Sequence, residues 1–152
     1  MRIFTTIISF LVVMLILTAC SEAPPVKVEV KDVCAQPEGT NLSIKGYFSL
    51  PKSLEVTRYT RGGQGAGINY KLILMTKADA TGDAVFVNLS GTSKPDANKI
   101  KMLPDNYTWN DLIAYTEDNK TVVASELTQL TGQVALSEKD KCQVNVQKIE
   151  KL

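Results

Sequence analysis

The chain has 152 residues, 17 lysines and arginines against 16 aspartates and glutamates, three cysteines and no histidine. Without histidine it lacks the commonest general base and the commonest metal ligand, so we predict a non-enzymatic protein with no metal or other cofactor. A nearly neutral chain has no net field for attracting polyanions, which disfavours nucleic acid as the main partner. The length accommodates one ordinary domain.

Residues 1–19 have the layout of a secretory signal peptide. Arg2 provides a positive start, and an apolar run from about Ile7 to Leu17 follows it. This run is shorter than the roughly 20 apolar residues that a membrane-spanning helix needs. The segment therefore predicts export rather than an uncleaved transmembrane helix.

The end of this segment, Leu17-Thr18-Ala19-Cys20, resembles the lipobox of bacterial lipoproteins. The resemblance implies that residues 1–19 are removed and that the thiol of Cys20 carries acyl chains such as palmitate. Ser21 is not the aspartate that retains such proteins at the inner membrane, which implies an outer-membrane anchor facing the periplasm. Residues 20–25 are then the lipidated cysteine and a short tether, and residues 26–152 are a single domain.

Two cysteines remain once Cys20 is assigned to lipid. Cys34 lies near the start of the domain and Cys142 near its end. Because an exported chain meets an oxidising compartment, these two thiols predict one disulfide. The alternative is two separate buried cysteines.

The first half of the domain shows the period-two alternation of strands. The predicted strands are Val26–Lys31, a strand from Leu42 to Leu50 whose apolar face holds Leu42, Ile44, Gly46, Phe48 and Leu50, a buried central strand over Ile68–Lys77, and Val85–Ser90. The last two form a hairpin across a turn at residues 80–83. Residues 54–67 hold four of the nine glycines, which predicts a mobile loop.

The second half begins with irregular sequence and ends in a paired pattern. Residues 91–110 predict a loop with a single helical turn around 97–103, followed by short strands at 112–116 and 121–123. A closing hairpin has Leu130, Gly132, Val134 and Leu136 on one face, a turn at residues 137–141, and Cys142, Val144 and Val146 on its second strand. The domain is predicted to be mainly β.

The order of these strands, with a glycine-interrupted first strand and a closing hairpin, resembles the OB-fold, a small Greek-key barrel of five strands. The resemblance covers roughly residues 41–150. An immunoglobulin-like β-sandwich or another small β-barrel remains the alternative.

The OB-fold resemblance implies that residues 51–67 and 137–141 are the loops that flank the ligand face. Arg58, Tyr59 and Arg61 are then the candidate ligand-binding residues, offering two cationic donors and a stacking ring. The alternative is a solvated, flexible hairpin tip. Tyr107 and Trp109 are predicted to cap the open end of the barrel core, with an exposed aromatic patch as the alternative.

Two functions follow from these features. The first is a membrane-anchored periplasmic lipoprotein, not an enzyme, whose barrel binds a partner protein or an envelope ligand such as glycan. The second is a structural or assembly factor of the cell envelope that has no small ligand.

Overall fold

The computed structural model describes residues 23–61, 65–136 and 141–152. Within these ranges the chain forms strands and two short 3-10 helices, η1 (Val30–Ala35) and η2 (Trp109–Asp111). The strands are β1 (Val26–Lys27), β2 (Asn41–Ser49), β3 (Glu55–Arg61), β4 (Gly65–Met75), β5 (Ala84–Thr92), β6 (Lys99–Lys101), β7 (Ile113–Tyr115), β8 (Thr121–Val123), β9 (Thr128–Leu136) and β10 (Cys142–Lys151). The mainly β prediction is confirmed.

Five strands close into a ring. β2 pairs antiparallel with β4 and with β9, β4 pairs antiparallel with β5, and β9 pairs antiparallel with β10. A parallel pairing between β5 and β10 completes the circle. This order, in which the third ring strand meets the fifth in parallel, is the Greek-key barrel of the OB-fold. The predicted fold is therefore confirmed, and the sandwich alternative is not adopted.

The core lies inside this ring and follows the predicted alternation. Leu42, Ile44, Gly46 and Phe48 are all buried on β2, as expected for one face of a strand. On β10 a bulge between Val146 and Lys148 shifts the phase, so that Ile149 is fully buried. The buried set also includes Tyr70, Leu72 and Leu74 of β4, Val85, Val87 and Leu89 of β5, Leu130 and Val134 of β9, and Val144 of β10.

The segment before β2 differs from the prediction of one strand over Val26–Lys31. Only β1 pairs, in parallel with Leu42 and Ser43, and η1 follows it. Val30 and Val33 are 3% and 0% exposed, and residues three apart share one side of a 3-10 helix. Burial of these two valines therefore prevails over the alternation, and η1 packs against β2 and β5.

The predicted disulfide is confirmed. Cys34 at the end of η1 is bonded to Cys142, the first residue of β10, and their Cα atoms are 5.7 Å apart. The bridge ties the segment before the barrel to the last strand of the ring.

The prediction of a mobile loop over residues 54–67 is wrong for the residues that the structure describes. β4 continues beyond the ring, and β3 pairs with it antiparallel from Glu55 opposite Lys71 to Arg61 opposite Gly65. We call this projecting hairpin the arm. Cross-strand hydrogen bonds along the arm offset the entropy that its glycines lose on ordering.

The predicted helical turn around residues 97–103 is also wrong. Asn98 has a φ of 58° and is followed by β6, which pairs in parallel with Gly91 and Thr92 at the end of β5. β6, β7 and β8 form a small sheet in the connection between β5 and β9. The left-handed conformation of Asn98 turns the chain into a strand instead of a helix.

Candidate functional site

The outer face of β4, β5 and β10 is the part of the barrel where polar side chains of several strands meet. On each of these strands buried residues alternate with less buried ones, so the side chains of the less buried residues point outward. Direct pairing aligns three rows across the strands: Ile73, Phe86 and Gln143; Lys71, Asn88 and Asn145; and Asn69 with Ser90. Most of these residues are half-buried, and Asn145 is exposed.

Three carboxamides form the centre of this face, and we call Asn88, Gln143 and Asn145 the amide triad. Asn88 Nδ2 donates a hydrogen bond to Asn145 Oδ1 at 3.3 Å, and Gln143 Nε2 donates to the same oxygen at 3.5 Å. Within the described ranges, Asn145 Nδ2, Asn88 Oδ1 and Gln143 Oε1 have no partner, and Gln143 Oε1 is buried. The triad therefore keeps both donor and acceptor capacity for a ligand.

Further polar pairs border the triad. Ser90 Oγ donates to Asn69 Oδ1 at 2.9 Å, and the ammonium group of Lys71 forms an ion pair with Glu55 on the arm. The charges of Lys71 and Glu55 offset each other. The row of Lys71, Asn88 and Asn145, extended by Glu55 on the arm, is thus polar without a net charge.

Apolar groups lie beside the polar ones. Phe86 is half-buried between Ile73 and Gln143 in the register of the sheet. On the arm, the ring of Tyr59 packs against Gly67, where an added Cβ atom would lie only 2.3 Å from the ring. A side chain at position 67 would displace this ring, so the glycine is needed for the close approach.

The structure separates the arginine and the tyrosine that the sequence grouped together. Tyr59 lies against Gly67 on the outer face, whereas Arg58 pairs with Ile68, whose side chain is buried, and lines a groove of about 350 Å³ with Met102. Consecutive residues of a strand point to opposite faces, so the two side chains do not form one cluster. Arg61 ends β3, and its side chain is outside the described part of the structure. Ligand binding by Arg58, Tyr59 and Arg61 stays a prediction.

Tyr107 and Trp109 do not cap the core as expected. They are 36% and 37% exposed and lie outside the cluster of buried residues. Trp109 belongs to η2, which lies in the connection between β6 and β7. A capping box joins Thr108 and Asp111 at the start of this helix. That cluster instead includes Ile100 of β6, Ala114 of β7 and Val122 of β8.

Acidic side chains with displaced pKa values lie in surface turns. A hydrogen bond from Lys120 and another from Thr116 lower the pKa of Asp118 to about 2. This carboxylate closes the turn between β7 and β8. Among the described residues, no group of three His, Cys, Asp or Glu side chains is arranged to hold a metal ion.

The lipobox and most of the closing turn fall on residues 1–22 and 137–140, which are outside the described ranges. Cleavage before Cys20 and its acylation therefore stay predictions. No helix in the described ranges has the length and hydropathy of a membrane span.

Neither a protein-family model nor a curated protein matches the chain. Among solved structures, the chain is similar to a small single-stranded DNA-binding protein from Streptomyces coelicolor, with a TM-score of 0.37 and 8% sequence identity. The similarity covers 77% of this chain and 96% of that protein. At this score and identity, we take no ligand for this chain from the comparison.

The similar protein is described as binding single-stranded DNA, which is at odds with the prediction that nucleic acid is disfavoured as a partner. That prediction is corrected on a physical ground. Net charge is an average over the whole surface, whereas a single strand is bound by a few local cations and stacking rings. A neutral chain thus does not disfavour this class of ligand.

Proposed function

We propose that the protein is a lipoprotein of the bacterial cell envelope, anchored through Cys20. Its barrel faces the periplasm and binds a ligand without catalysing a reaction. The observation that carries the proposal is the Cys34–Cys142 bridge. A bridge between distant parts of a chain is typical of an oxidising compartment, and it leaves Cys20 as the one cysteine available for lipid. Two acyl chains are enough to hold such a domain at a membrane.

The binding role is supported by the outer face of β4, β5 and β10. This face combines unpaired amide groups with half-buried apolar side chains on a closed barrel. A few placed polar groups on an apolar background are what fixes the orientation of a ligand. The proposed ligand is an envelope component or a partner protein.

Intact mass spectrometry of the protein extracted from membranes tests the anchor. We expect a chain that begins at Cys20 with the mass of attached acyl chains, and no thiol that reacts with an alkylating reagent before reduction. A Cys20→Ser variant should lose the acyl mass and leave the membrane fraction. An unprocessed chain with three reactive thiols would contradict the proposal.

A second function, an assembly factor without a small ligand, is favoured by one edge of the arm. In the described part of the chain β3 pairs with β4 alone, and its residues include Val56, which is 41% exposed. Such an edge can accept a strand from another protein. In-cell crosslinking from Thr57 should then trap one defined envelope protein, and recovery of uncrosslinked protein alone would reject this role.

A further inference from the structure

The amide triad and the ring of Phe86 form one surface that is polar, uncharged and partly apolar. Phe86 pairs with Gln143, and Asn88 pairs with Asn145. We propose that this surface binds a sugar unit of a neutral glycan strand, with the triad holding its hydroxyl or acetamido groups and Phe86 stacking on the sugar ring. The inference rests on the proposed function, because it names the ligand class of the same face.

The unpaired groups of the triad match the hydrogen-bonding pattern of a sugar. A hydroxyl group both donates and accepts, so it is best bound by a surface that offers both. Asn145 Nδ2 is a donor and Asn88 Oδ1 is an acceptor, and neither has a partner within the described ranges. Carboxamides provide this capacity without a charge that would select an ionic ligand.

The existing contacts within the triad are weak enough to be exchanged for a ligand. Both hydrogen bonds to Asn145 Oδ1 are long, at 3.3 and 3.5 Å, and hydrogen bonds weaken as they lengthen beyond about 3 Å. Gln143 Oε1 is buried without a partner, which is unfavourable for an acceptor. A ligand that donates to this group after rotation of the amide would remove that penalty.

The register places these groups at the scale of a sugar ring. Asn88 and Asn145 are on neighbouring strands, which lie roughly 5 Å apart, and Phe86 is two residues from Asn88, roughly 7 Å along β5. Substituents of one ring can therefore reach both amides while the apolar face of the same ring or the next one meets Phe86. The neighbouring Ser90 and Asn69 pair extends the polar surface along the strands.

The test is a calorimetric titration of the full, lipidated protein in a detergent without a sugar headgroup. The probes are chitohexaose, which carries acetamido groups, maltohexaose, which carries hydroxyl groups only, and a short oligo-deoxythymidine. We expect one of the two sugars to bind and both Asn145→Ala and Asn88→Ala to weaken that binding by roughly tenfold, as expected for the loss of one hydrogen-bonding partner. Asn145→Asp, which keeps the shape but removes the donor, should weaken it too.

Asn106→Ala is the matched control, because Asn106 is exposed in a turn outside this face. It should leave the affinity unchanged. Absence of sugar binding by the folded protein, or sugar binding that is equal in the triad variants and the control, would overturn the inference. Binding of the oligo-deoxythymidine alone would overturn it as well and would identify a nucleic-acid strand as the occupant. The mass of the same preparation reports the anchor at Cys20, so failure here and failure of the proposed function are distinguishable.

Discussion

The end of the barrel where β5 and β10 begin is closed by buried valines and a disulfide. The end where they finish, which we call the polar end, also buries apolar side chains, among them Ile100 and Val122, but it is held by hydrogen bonds and an ion pair in place of a disulfide. The first end holds the buried Val30 and Val33 and the Cys34–Cys142 bridge. At the second end, Asn98 Oδ1 accepts a hydrogen bond from the backbone N–H of Ile149 at 2.8 Å. Further contacts there are Leu103 N–H to the Tyr70 hydroxyl at 3.2 Å and the ion pair between Lys148 and Glu117 at 2.8 Å.

The two kinds of closure differ in strength. A buried valine contributes about 1.5–3 kcal/mol and a native disulfide about 2–5 kcal/mol, whereas one hydrogen bond contributes about 1 kcal/mol. Because both ends bury apolar side chains, the disulfide makes the difference, and we expect the end near η1 to open only with the whole barrel. The opposite end, with the arm and the small sheet, should open locally at lower free energy.

Removing the disulfide should change the relative stability of the two ends more than any other substitution considered. Cys34→Ala combined with Cys142→Ala releases a link between residues 108 positions apart, and we expect the free energy of unfolding to fall by about 4 kcal/mol. Urea denaturation followed by circular dichroism measures the change. Amide hydrogen exchange should then show η1 losing more protection than β6.

Reduction of the unmodified protein is the control for this double variant. It should lower the stability by a similar amount, because it breaks the same bond without changing the side chains nearby. A loss below about 1 kcal/mol would show that burial of the valines alone closes this end.

Replacing Asn98 should weaken the polar end by a smaller amount. Asn98→Ala removes the acceptor for the Ile149 N–H and puts alanine at a φ of 58°, so we expect a loss of about 2 kcal/mol in unfolding free energy. Asn98→Gly tolerates the backbone conformation but lacks the acceptor, and should lose about 1 kcal/mol. Equal stability of both variants and the parent protein would mean that this contact does not hold the end closed.

Local alternation was enough to predict the strands of the ring. Leu42, Ile44 and Phe48 face the core because residues two apart in a strand share a face, and this pattern is written in the sequence itself. The pairing of Cys34 with Cys142 followed from the count of available thiols in an exported chain. Neither prediction needed to know which strands are neighbours.

The amide triad could not be predicted in the same way. Asn88 and Asn145 lie opposite in direction to their buried neighbours Val87 and Val144, as alternation requires, but the two asparagines are 57 positions apart. They meet because β5 and β10 pair in parallel with one register, and register depends on the whole fold. The arm was missed for a related reason. The glycines that disfavour ordering can be counted in the sequence, whereas the pairing of β3 with β4 that orders them depends on the fold.

Acidification should lower the stability of the polar end. We expect this effect to be smaller than those of removing the disulfide and of replacing Asn98. Lys120, at 2.6 Å, and Thr116 bind the carboxylate of Asp118 and lower its pKa from 3.8 to about 2. Because the pKa is lower in the folded state, this group stabilises the fold above about pH 4 and loses that contribution as the pH falls through about 2. Asp118 is exposed at the turn between β7 and β8, so solvent screening keeps the contribution small.

The measurement is the melting temperature of the parent protein and of Asp118→Asn between neutral pH and pH 2. The parent should be the more stable of the two at neutral pH, and the difference should shrink as the carboxylate becomes protonated. Asp105→Asn, which changes an exposed aspartate in another turn, is the control for introducing an amide. A difference between the parent and Asp118→Asn that stays constant down to pH 2 would show that the charge of this carboxylate does not stabilise the turn. Stability at the η1 end should be indifferent to this change, since burial of valines and a disulfide involve no proton.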